Sequence, residues 1–445
     1  MPDSELDSPL LKLALLSERA RKDPKCQFIS LAHWLDEGFL ARCYYRLEKD
    51  RASGIDGVTW KEYGEHLEEN LRDLVARLKA KRYRPQPSKR VYIPKDEHSQ
   101  RPLGLPALED KIVQAGVAAI LGAIYEADFL DCSYGFRPQR GCHQALDAVY
   151  QTIMRKPVNH VIDADIKGFF DNVSHEWLMK FLRVRIKDSS LLLIIERFLK
   201  AGYFEAGRVV ETERGTPQGG NLSPLLSNIF LHYVLDLWFE KRLKGEVRGA
   251  CHLVRYADDF VIMVQYQDDA QYVMQALRER FAKFDLGLHP EKTRVIGFGR
   301  YERENARRQK RRPNTFDFLG FTHYCGKNRW GKFNVGRKTS RKKFCKKSRE
   351  LNDWLRKVRN LCAVKQWWPI LKAKLTGHYQ YYGICGNGRA IDRYYRLVER
   401  LALKWLNRRS QKKSFDYRSF SDYLKHYPLP RPRIVHNPYQ PLPVS

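Results

Sequence analysis

The fold is decided by residues 253–264, which read LVRYADDFVIMV. Two apolar runs flank the carboxylates of Asp258 and Asp259, and the Val and Ile residues after them favour a β-strand. The spacing predicts a hairpin with both carboxylates at its turn. Neighbouring carboxylates resist joint ionisation unless a cation lies between them. Because Mg²⁺ prefers carboxylate and phosphate oxygens, the hairpin is a candidate Mg²⁺ site. The simpler interpretation is a solvated Asp-Asp turn.

A further carboxylate follows a predicted strand in residues 159–171, NHVIDADIKGFFD. Asp165 ends this strand, and a turn and two aromatic residues come after it. With the pair in the hairpin it would complete three carboxylates from two distant segments. Two Mg²⁺ ions about 4 Å apart need such a cluster for in-line displacement at phosphorus. Asp163 and Asp171 compete with Asp165 for the third position.

The composition favours a folded protein that binds a polyanion. The 445 residues include 81 Lys and Arg against 51 Asp and Glu, a formal net charge of +30, and 12% of the residues are aromatic. Nucleic acid explains this charge better than a membrane does, because the longest uncharged apolar run, residues 112–125, is too short to span a bilayer. The nine cysteines form no Cys-x-x-Cys pair, so we expect reduced thiols in a cytosol.

Two more segments suit a nucleotide ligand. Lys95 and Arg101 lie on two predicted neighbouring strands, where both could reach the same phosphate group. From this feature alone, two solvated surface cations are the more common arrangement. Residues 214–224 read RGTPQGGNLSP, and their glycines let the backbone approach a ligand closely. The Ser-Pro pair at the end of this loop predicts the start of an apolar helix.

Apolar periodicity predicts helices and strands on both sides of these segments. The predicted helices include residues 60–81, 108–125, 340–360, 368–382 and 389–409, with Pro369 in a first turn. A short strand is predicted over residues 316–321. Residues 301–350 hold 17 Lys and Arg against 4 Asp and Glu, a density typical of a contact with a polyanion.

Together these segments resemble bacterial group II intron-encoded reverse transcriptases and maturases. The matching residues, in the order found in that family, are Lys95 and Arg101, Asp165 with Phe170, Pro217-Gln218-Gly219, Tyr256-Ala257-Asp258-Asp259, Lys292, and Phe318-Leu319-Gly320. The similarity extends over about residues 30–430 and is particularly close in residues 52–59, 133–138 and 215–224.

The resemblance implies an α+β fold, a right-hand polymerase with fingers and palm followed by an α-helical thumb or maturase domain. The palm would hold an antiparallel sheet packed on helices. The implied boundaries are an N-terminal helical extension at 1–73, fingers and palm at 74–325, the thumb at 335–415 and a basic, Pro-rich C-terminal tail at 416–445.

The resemblance also implies roles for individual residues. The catalytic residues would be Asp165, Asp258 and Asp259, with metal ligands at these positions and at Ile166. Phe170, five residues after Asp165 as in the family, would exclude a ribose 2′-OH. The substrate-binding residues would be Lys95, Arg101, Phe170, Pro217, Gln218, Gly219 and Lys292. Contacts to nucleic acid would come from Tyr256, Arg307, Arg308, Lys338, Arg341, Lys342 and Lys343.

The expected activity is RNA-directed DNA polymerisation with two Mg²⁺ ions, for which Mn²⁺ can substitute. The expected partners are an RNA template, a DNA or RNA primer, dNTPs and group II intron RNA, with no membrane; the oligomeric state stays open. The expected location is the bacterial cytoplasm, including the nucleoid. Because the sequence after the implied thumb is short and lacks cysteine pairs, the His-Asn-His endonuclease of many relatives is not expected. Two alternatives remain, an RNA-binding splicing factor with secondary polymerase activity and a host-recruited reverse transcriptase in phage defence. The intact aspartate triad argues against RNA binding as the sole role.

Overall fold

The computed structural model describes residues 9–94, 100–216, 219–409, 411 and 414–437. The chain forms two compact units. The first unit comprises Met1–Cys142, Ala164–Ile262 and Asp268–Arg294, and the second comprises His143–Asp163, Met263–Gln267 and Val295–Ser445. Both units combine helices with strands, and the α+β class predicted from the sequence is confirmed.

Helices occur in both units, from one end of the described chain to the other. In chain order they are α1 Pro9–Lys22, α2 Glu37–Arg46, α3 Trp60–Glu65, α4 Leu67–Lys79, α5 Leu108–Tyr125, α6 Cys142–Arg155, α7 Phe169–Asn172, α8 His175–Arg185, α9 Ser189–Lys200, α10 Ser223–Leu231, α11 Lys244–Glu246, α12 Gln267–Ala282, α13 Glu302–Arg308, α14 Arg341–Leu361, α15 Val364–Tyr382, α16 Gly388–Asn407 and α17 Tyr417–His426. A 3₁₀ turn covers Ala32–Trp34, and two π-helical segments, His232–Asp236 and Phe239–Leu243, follow α10.

The strands form three sheets. They are β1 Ser88–Pro94, β2 Gln100–Leu105, β3 His160–Asp165, β4 Tyr203–Glu205, β5 Arg208–Val210, β6 Cys251–Tyr256, β7 Asp259–Val264, β8 Arg294–Gly297, β9 Thr315–Phe318, β10 Phe321–Lys327 and β11 Phe333–Thr339. The strand orders are β2-β1-β4-β5, β6-β7-β3-β8 and β11-β10-β9. The first sheet is antiparallel except where β1 pairs with β4.

Helix α5 shows why the apolar segments predict the fold well. It has the predicted bounds, Leu108–Tyr125, and its residues Ile112, Val113, Val117 and Ile120 are fully buried. A helix that is apolar on most of its faces has to lie inside the protein, so α5 forms part of the core of the first unit. Within the described ranges, no helix combines the length and the apolar character needed to cross a membrane.

One predicted helix in the first unit is wrong in detail. The helix expected over residues 60–81 is divided at His66, whose φ of −126° and ψ of 38° lie outside the helical range. The part before the break, α3, has its own N-terminal cap, because Thr59 and Glu62 form a reciprocal capping box. Two short helices therefore replace one long helix.

Two expectations for the second unit also need correction. Residues 316–321 form the facing ends of β9 and β10, joined by a turn at Leu319 and Gly320, and not one strand. Pro369 lies inside α15, because this helix already begins at Val364. Helix α17 lies within residues 416–445, the region of the implied C-terminal tail.

Candidate active site

The hairpin with Asp258 and Asp259 forms as predicted. Strands β6 and β7 are joined by a tight turn in which Ala257 has a φ of +56°. Residues 260–264 are buried, so the hairpin is anchored in the core. Asp258 is half-buried at the turn, and Asp259 is exposed at the first position of β7. Both carboxylates therefore lie at the end of a ribbon whose body is fixed.

Asp165 lies at the end of β3, and the segment that follows α12 forms backbone hydrogen bonds with this strand end. The backbone N–H of His289 donates to the Asp165 carbonyl at 2.8 Å, and Lys167 N–H donates to the Gly287 carbonyl at 2.8 Å. Lys292 then reaches the carboxylate itself, with its Nζ 2.8 Å from Asp165 Oδ2. The Asp165 side chain keeps 27% of its surface exposed, so the carboxylate remains accessible beside this ammonium group.

The alternative carboxylates lie close along the chain. Asp163 is half-buried two residues earlier in β3, and Asp171 is exposed in α7. The ion pair with Lys292 is formed by Asp165. This ion pair joins two segments that the family resemblance singled out, and the choice among the three carboxylates stays a prediction.

The donor chemistry of these residues fits Mg²⁺, which prefers carboxylate oxygens. Among the residues that the structure describes, however, no group of three or more His, Cys, Asp or Glu side chains is already arranged around a common point that a metal ion could fill. The metal site expected at Asp165, Ile166, Asp258 and Asp259 therefore stays a prediction.

The two phenylalanines after Asp165 have different surroundings. Phe169 is 2% exposed, and its ring contacts that of Phe230 with 6.3 Å between centroids. Phe170 is half-buried and lines a cavity of about 250 Å³ together with Arg90, Tyr203 and Arg214. Phe169 therefore packs in the core, while Phe170 faces a space in which a ligand can lie.

The first three residues of the segment 214–224, here called the glycine loop, line this cavity. Thr216 N–H donates to the Phe170 carbonyl at 2.7 Å, which fixes the start of the loop against α7. Gly219 has a φ of +118°, and a Cβ atom there would lie 2.4 Å from the Gly104 carbonyl oxygen in β2. Only glycine fits so close an approach. Pro217 and Gln218 lie outside the described residues.

The two predicted phosphate-binding cations belong to a β-hairpin. Strands β1 and β2 pair in antiparallel fashion, and Arg101 is exposed opposite Ile93. This confirms that the two predicted strands are neighbours. Lys95 falls in the segment between them, outside the described part of the chain.

A buried polar network below the Asp258–Asp259 turn was missed by the sequence analysis. Arg255 and Asp236 form an ion pair with both side chains 0% exposed, and Arg255 also donates to Asn228 and to the Ala257 carbonyl. Burial alone would lower the pKa of the Arg255 guanidinium, but the charge and hydrogen bonds of Asp236 outweigh it and raise this pKa. The sequence did contain one signal for this pair, because Asp236 and Arg255 are residues of opposite charge inside two apolar segments.

The predicted nucleic-acid contacts outside this region are mostly exposed cations of the second unit. Arg307 and Arg308 lie on α13, Lys338 lies on β11, and Arg341, Lys342 and Lys343 form the first turn of α14. All six are exposed. Tyr256, in the first unit, is half-buried with its ring 6.5 Å from that of Phe136.

The three basic residues at the start of α14 lie in its first turn, where a helix least favours positive charge. The first turn of a helix carries a partial positive charge, so acidic residues stabilise it and basic residues do not. In α14 the first turn has no acidic residue, and within the described ranges none of Arg341, Lys342 and Lys343 forms an ion pair. A polyanion would relieve this repulsion.

Comparison with known proteins gives a consistent result. Residues 93–323 match the family described as reverse transcriptase (RNA-dependent DNA polymerase). The chain is 34% identical over 312 residues to the group II intron-encoded protein LtrA of Lactococcus lactis subsp. cremoris, covering 57% of this chain and 51% of the relative. It is 32% identical over 325 residues to protein YkfC of Escherichia coli (strain K12), covering 66% of this chain and 84% of the relative.

A third relative is an uncharacterised 91 kDa protein in the cob intron of Schizosaccharomyces pombe, 37% identical over 173 residues, covering 39% of this chain and 21% of the relative. The chain thus spans about half the length of LtrA and more than four-fifths of YkfC. The family match includes Asp165, the Asp258–Asp259 hairpin and Lys292. The chain therefore belongs to the reverse transcriptase family, and within it the chain is similar to group II intron-encoded proteins.

Proposed function

We propose that this protein is an RNA-directed DNA polymerase that extends a primer by nucleotidyl transfer with two Mg²⁺ ions. The observation that carries the proposal is the arrangement around Asp165. It ends a strand of the sheet that also contains the Asp258–Asp259 hairpin, and Lys292 contacts its carboxylate. A polymerase site requires carboxylates at the end of a rigid strand with a cation beside them. A turn that has only a structural role has no such requirement.

In this proposal Asp165, Asp258 and Asp259 hold the metal ions, with Ile166 adjoining them. The ions would supply Lewis-acid stabilisation of the charge that develops on the transferred phosphoryl group. The protein's contribution is then mainly positioning, because phosphoryl transfer needs little covalent chemistry from side chains. The ammonium group of Lys292 donates to the Asp165 carboxylate at 2.8 Å and would hold it in one orientation beside the incoming nucleotide.

The incoming nucleotide would lie against Phe170 and the glycine loop. Arg101 and Lys95 on the β1–β2 hairpin would bind its triphosphate, and Gln218 and its neighbours Pro217 and Gly219 would lie against the base pair. The cavity beside Phe170 supports this placement, since Arg90 and Arg214 in its wall make it attractive to an anion. Phe170 would limit the space at the sugar C2′.

A role with intron RNA is the second part of the proposal. The exposed cations of α14, together with Lys338, Arg307 and Arg308, would bind the phosphate backbone of a structured RNA. Two relatives support this role, since LtrA and the Schizosaccharomyces pombe protein are both named for an intron. Splicing assistance would then accompany polymerisation, and would not replace it.

A primer-extension assay tests the polymerase. The wild-type protein should extend a DNA primer on an RNA template with dNTPs and Mg²⁺, whereas Asp258→Asn should bind the template and not extend it. Asp268→Asn is the matched control, because Asp268 is an exposed carboxylate on α12 that pairs with Arg248 at 3.1 Å, and it should behave like wild type. Equal extension by wild type and Asp258→Asn would reject the site assignment.

Sequencing of the co-purified RNA tests the intron partner. We expect enrichment of RNA from one intron, which should be lost when Arg341, Lys342 and Lys343 are replaced by glutamine. RNA content that follows cellular abundance in both proteins would contradict the intron role and leave the polymerase assignment standing.

A further inference from the structure

The Asp258–Asp259 turn rests on a set of buried polar contacts that no part of the proposed chemistry uses directly. Arg255 is the last but one residue of β6, and its guanidinium is fully enclosed. Its Nε donates to Asp236 Oδ1 at 2.8 Å, and its Nη2 donates to Asp236 Oδ2. A bidentate pair of this kind fixes the plane of the guanidinium as well as its charge.

The remaining nitrogen of Arg255 is directed at the turn itself. Its Nη1 donates to the carbonyl oxygen of Ala257 at 3.0 Å and to Asn228 Oδ1 at 3.0 Å. Ala257 is the residue with a φ of +56°, immediately before Asp258. A hydrogen bond at this carbonyl therefore restrains the peptide that leads into the first carboxylate.

Gly135 holds the same turn from another side. Asn228 Nδ2 donates to the Gly135 carbonyl at 2.7 Å, so Gly135 belongs to the same network. A Cβ atom on Gly135 would lie 2.4 Å from the backbone nitrogen of Ala257, which leaves no room for any other residue. The turn is thus bounded by Arg255 on one side and by the backbone of Gly135 on the other.

The helix that supplies Asp236 departs from regular geometry at this point. Asp236 is the last residue of the π-helical segment that continues α10. π-Helical turns are rare, and they occur frequently at functional sites, where the extra residue redirects a side chain. In this protein the last residue of the π-helical segment, Asp236, is the buried partner of Arg255.

Stability alone does not explain such a pair. Burial of both charges of an ion pair costs a large desolvation free energy. Apolar residues of similar volume can therefore often replace such a pair without loss of stability. Orientation is a better reason to keep it. We propose that Arg255 is a positioning residue, which with Asp236, Asn228 and Gly135 fixes the Ala257 peptide so that Asp258 and Asp259 are aligned for their ligands.

This inference rests on the proposed function, and one double variant tests it. Arg255→Met with Asp236→Leu removes both charges together and leaves no unpaired ion in the core. We expect this protein to fold and to bind an RNA–DNA hybrid as the wild type does. Its affinity for Mn²⁺, measured from the EPR signal of the free ion, should fall by about 10- to 100-fold, the usual effect of removing a residue that orients metal ligands.

The kinetic pattern should agree with the binding. The kcat for nucleotide addition should fall by a similar factor, with KM for the dNTP unchanged, because the substrate-binding residues are untouched. A double variant that folds and keeps wild-type Mn²⁺ affinity and kcat would overturn the inference, since the pair would then be purely structural.

Gly135→Ala gives an independent reading if the double variant does not fold. It leaves the ion pair in place and pushes a methyl group against Ala257, so Mn²⁺ affinity should again fall. Gly122→Ala is the matched control, because a Cβ atom there meets nothing within 4 Å. Equal Mn²⁺ affinity in these two variants would reject the role of the turn. A wild-type protein that binds Mn²⁺ but extends no primer would reject the proposed function alone.

Discussion

Replacing Phe170 by alanine should relax the choice between deoxyribonucleotides and ribonucleotides. The two substrates differ at C2′ by one hydroxyl group. A pocket that merely offers this hydroxyl no partner rejects it by about 10²-fold, or roughly 2.7 kcal/mol in transition-state binding. A rigid ring against C2′ adds steric overlap to that figure, because a packed site accommodates extra volume poorly.

The structure fixes how the two neighbouring rings should differ in this experiment. Phe170 is half-buried and lines the cavity of about 250 Å³, so its removal enlarges a space that already exists. Phe169 is 2% exposed, and truncation of so buried a ring to alanine costs about 3–5 kcal/mol of stability. Phe170→Ala should cost less stability than Phe169→Ala and should change the selection of the sugar.

The assay is single-nucleotide extension with matched NTP and dNTP. We expect the ratio of kcat/KM for dNTP over NTP to exceed about 10² in wild type and to fall to about 10² or below in Phe170→Ala. Phe169→Leu is the control, which should lower the melting temperature and leave the ratio unchanged. Equal ratios in wild type and Phe170→Ala would refute the assignment of Phe170, though not the assignment of the polymerase.

Three other outcomes are expected. Asp165→Ala should abolish primer extension with RNA binding nearly intact, and normal extension by this variant would transfer the third ligand to Asp163. Neutralising the three cations at 341–343 should reduce the slope of log Kobs against log salt by about 2 to 3 in filter binding, since each phosphate contact contributes about 0.7–0.9; an unchanged slope would show only a solvated face. Burial lowers the pKa of His378 to about 4, so this group binds protons more readily in the unfolded chain, and its own contribution to the free energy of unfolding should fall by about 3 kcal/mol as the pH drops from 6.5 to 4. His378→Phe, which keeps a ring against Tyr394, should flatten that fall in urea unfolding, and identical pH profiles would contradict the shifted pKa.

The parts of the fold that follow from local pattern could be predicted. The hairpin at Asp258 and Asp259 follows from two apolar runs around a polar centre, and helix α5 follows from a continuous apolar segment. The position of Asp165 at a strand end follows from the same reasoning. In each case the decisive signal lies within about a dozen residues of the element that it predicts.

The parts that depend on distant contacts could not be predicted. The turn between β9 and β10 uses Leu319 with a φ of +48°, a conformation that leucine rarely adopts, so Gly320 alone marked the turn in the sequence. Asp236 and Arg255 lie 19 residues apart, and nothing local shows that they pair. The contact between Lys292 and Asp165 spans 127 residues, and the sequence marked Lys292 only by its resemblance to a family.

The central claim is that the carboxylates of Asp165, Asp258 and Asp259 carry out RNA-templated DNA synthesis. Its most direct test is a single-turnover experiment, in which a preformed complex with RNA template and DNA primer is mixed with the next complementary dNTP and Mg²⁺. The wild-type protein should add one nucleotide and release one equivalent of pyrophosphate, while Asp258→Asn should hold the same complex and do neither. The claim would be contradicted if the saturated wild-type complex added no nucleotide, or if Asp258→Asn added it at the wild-type rate.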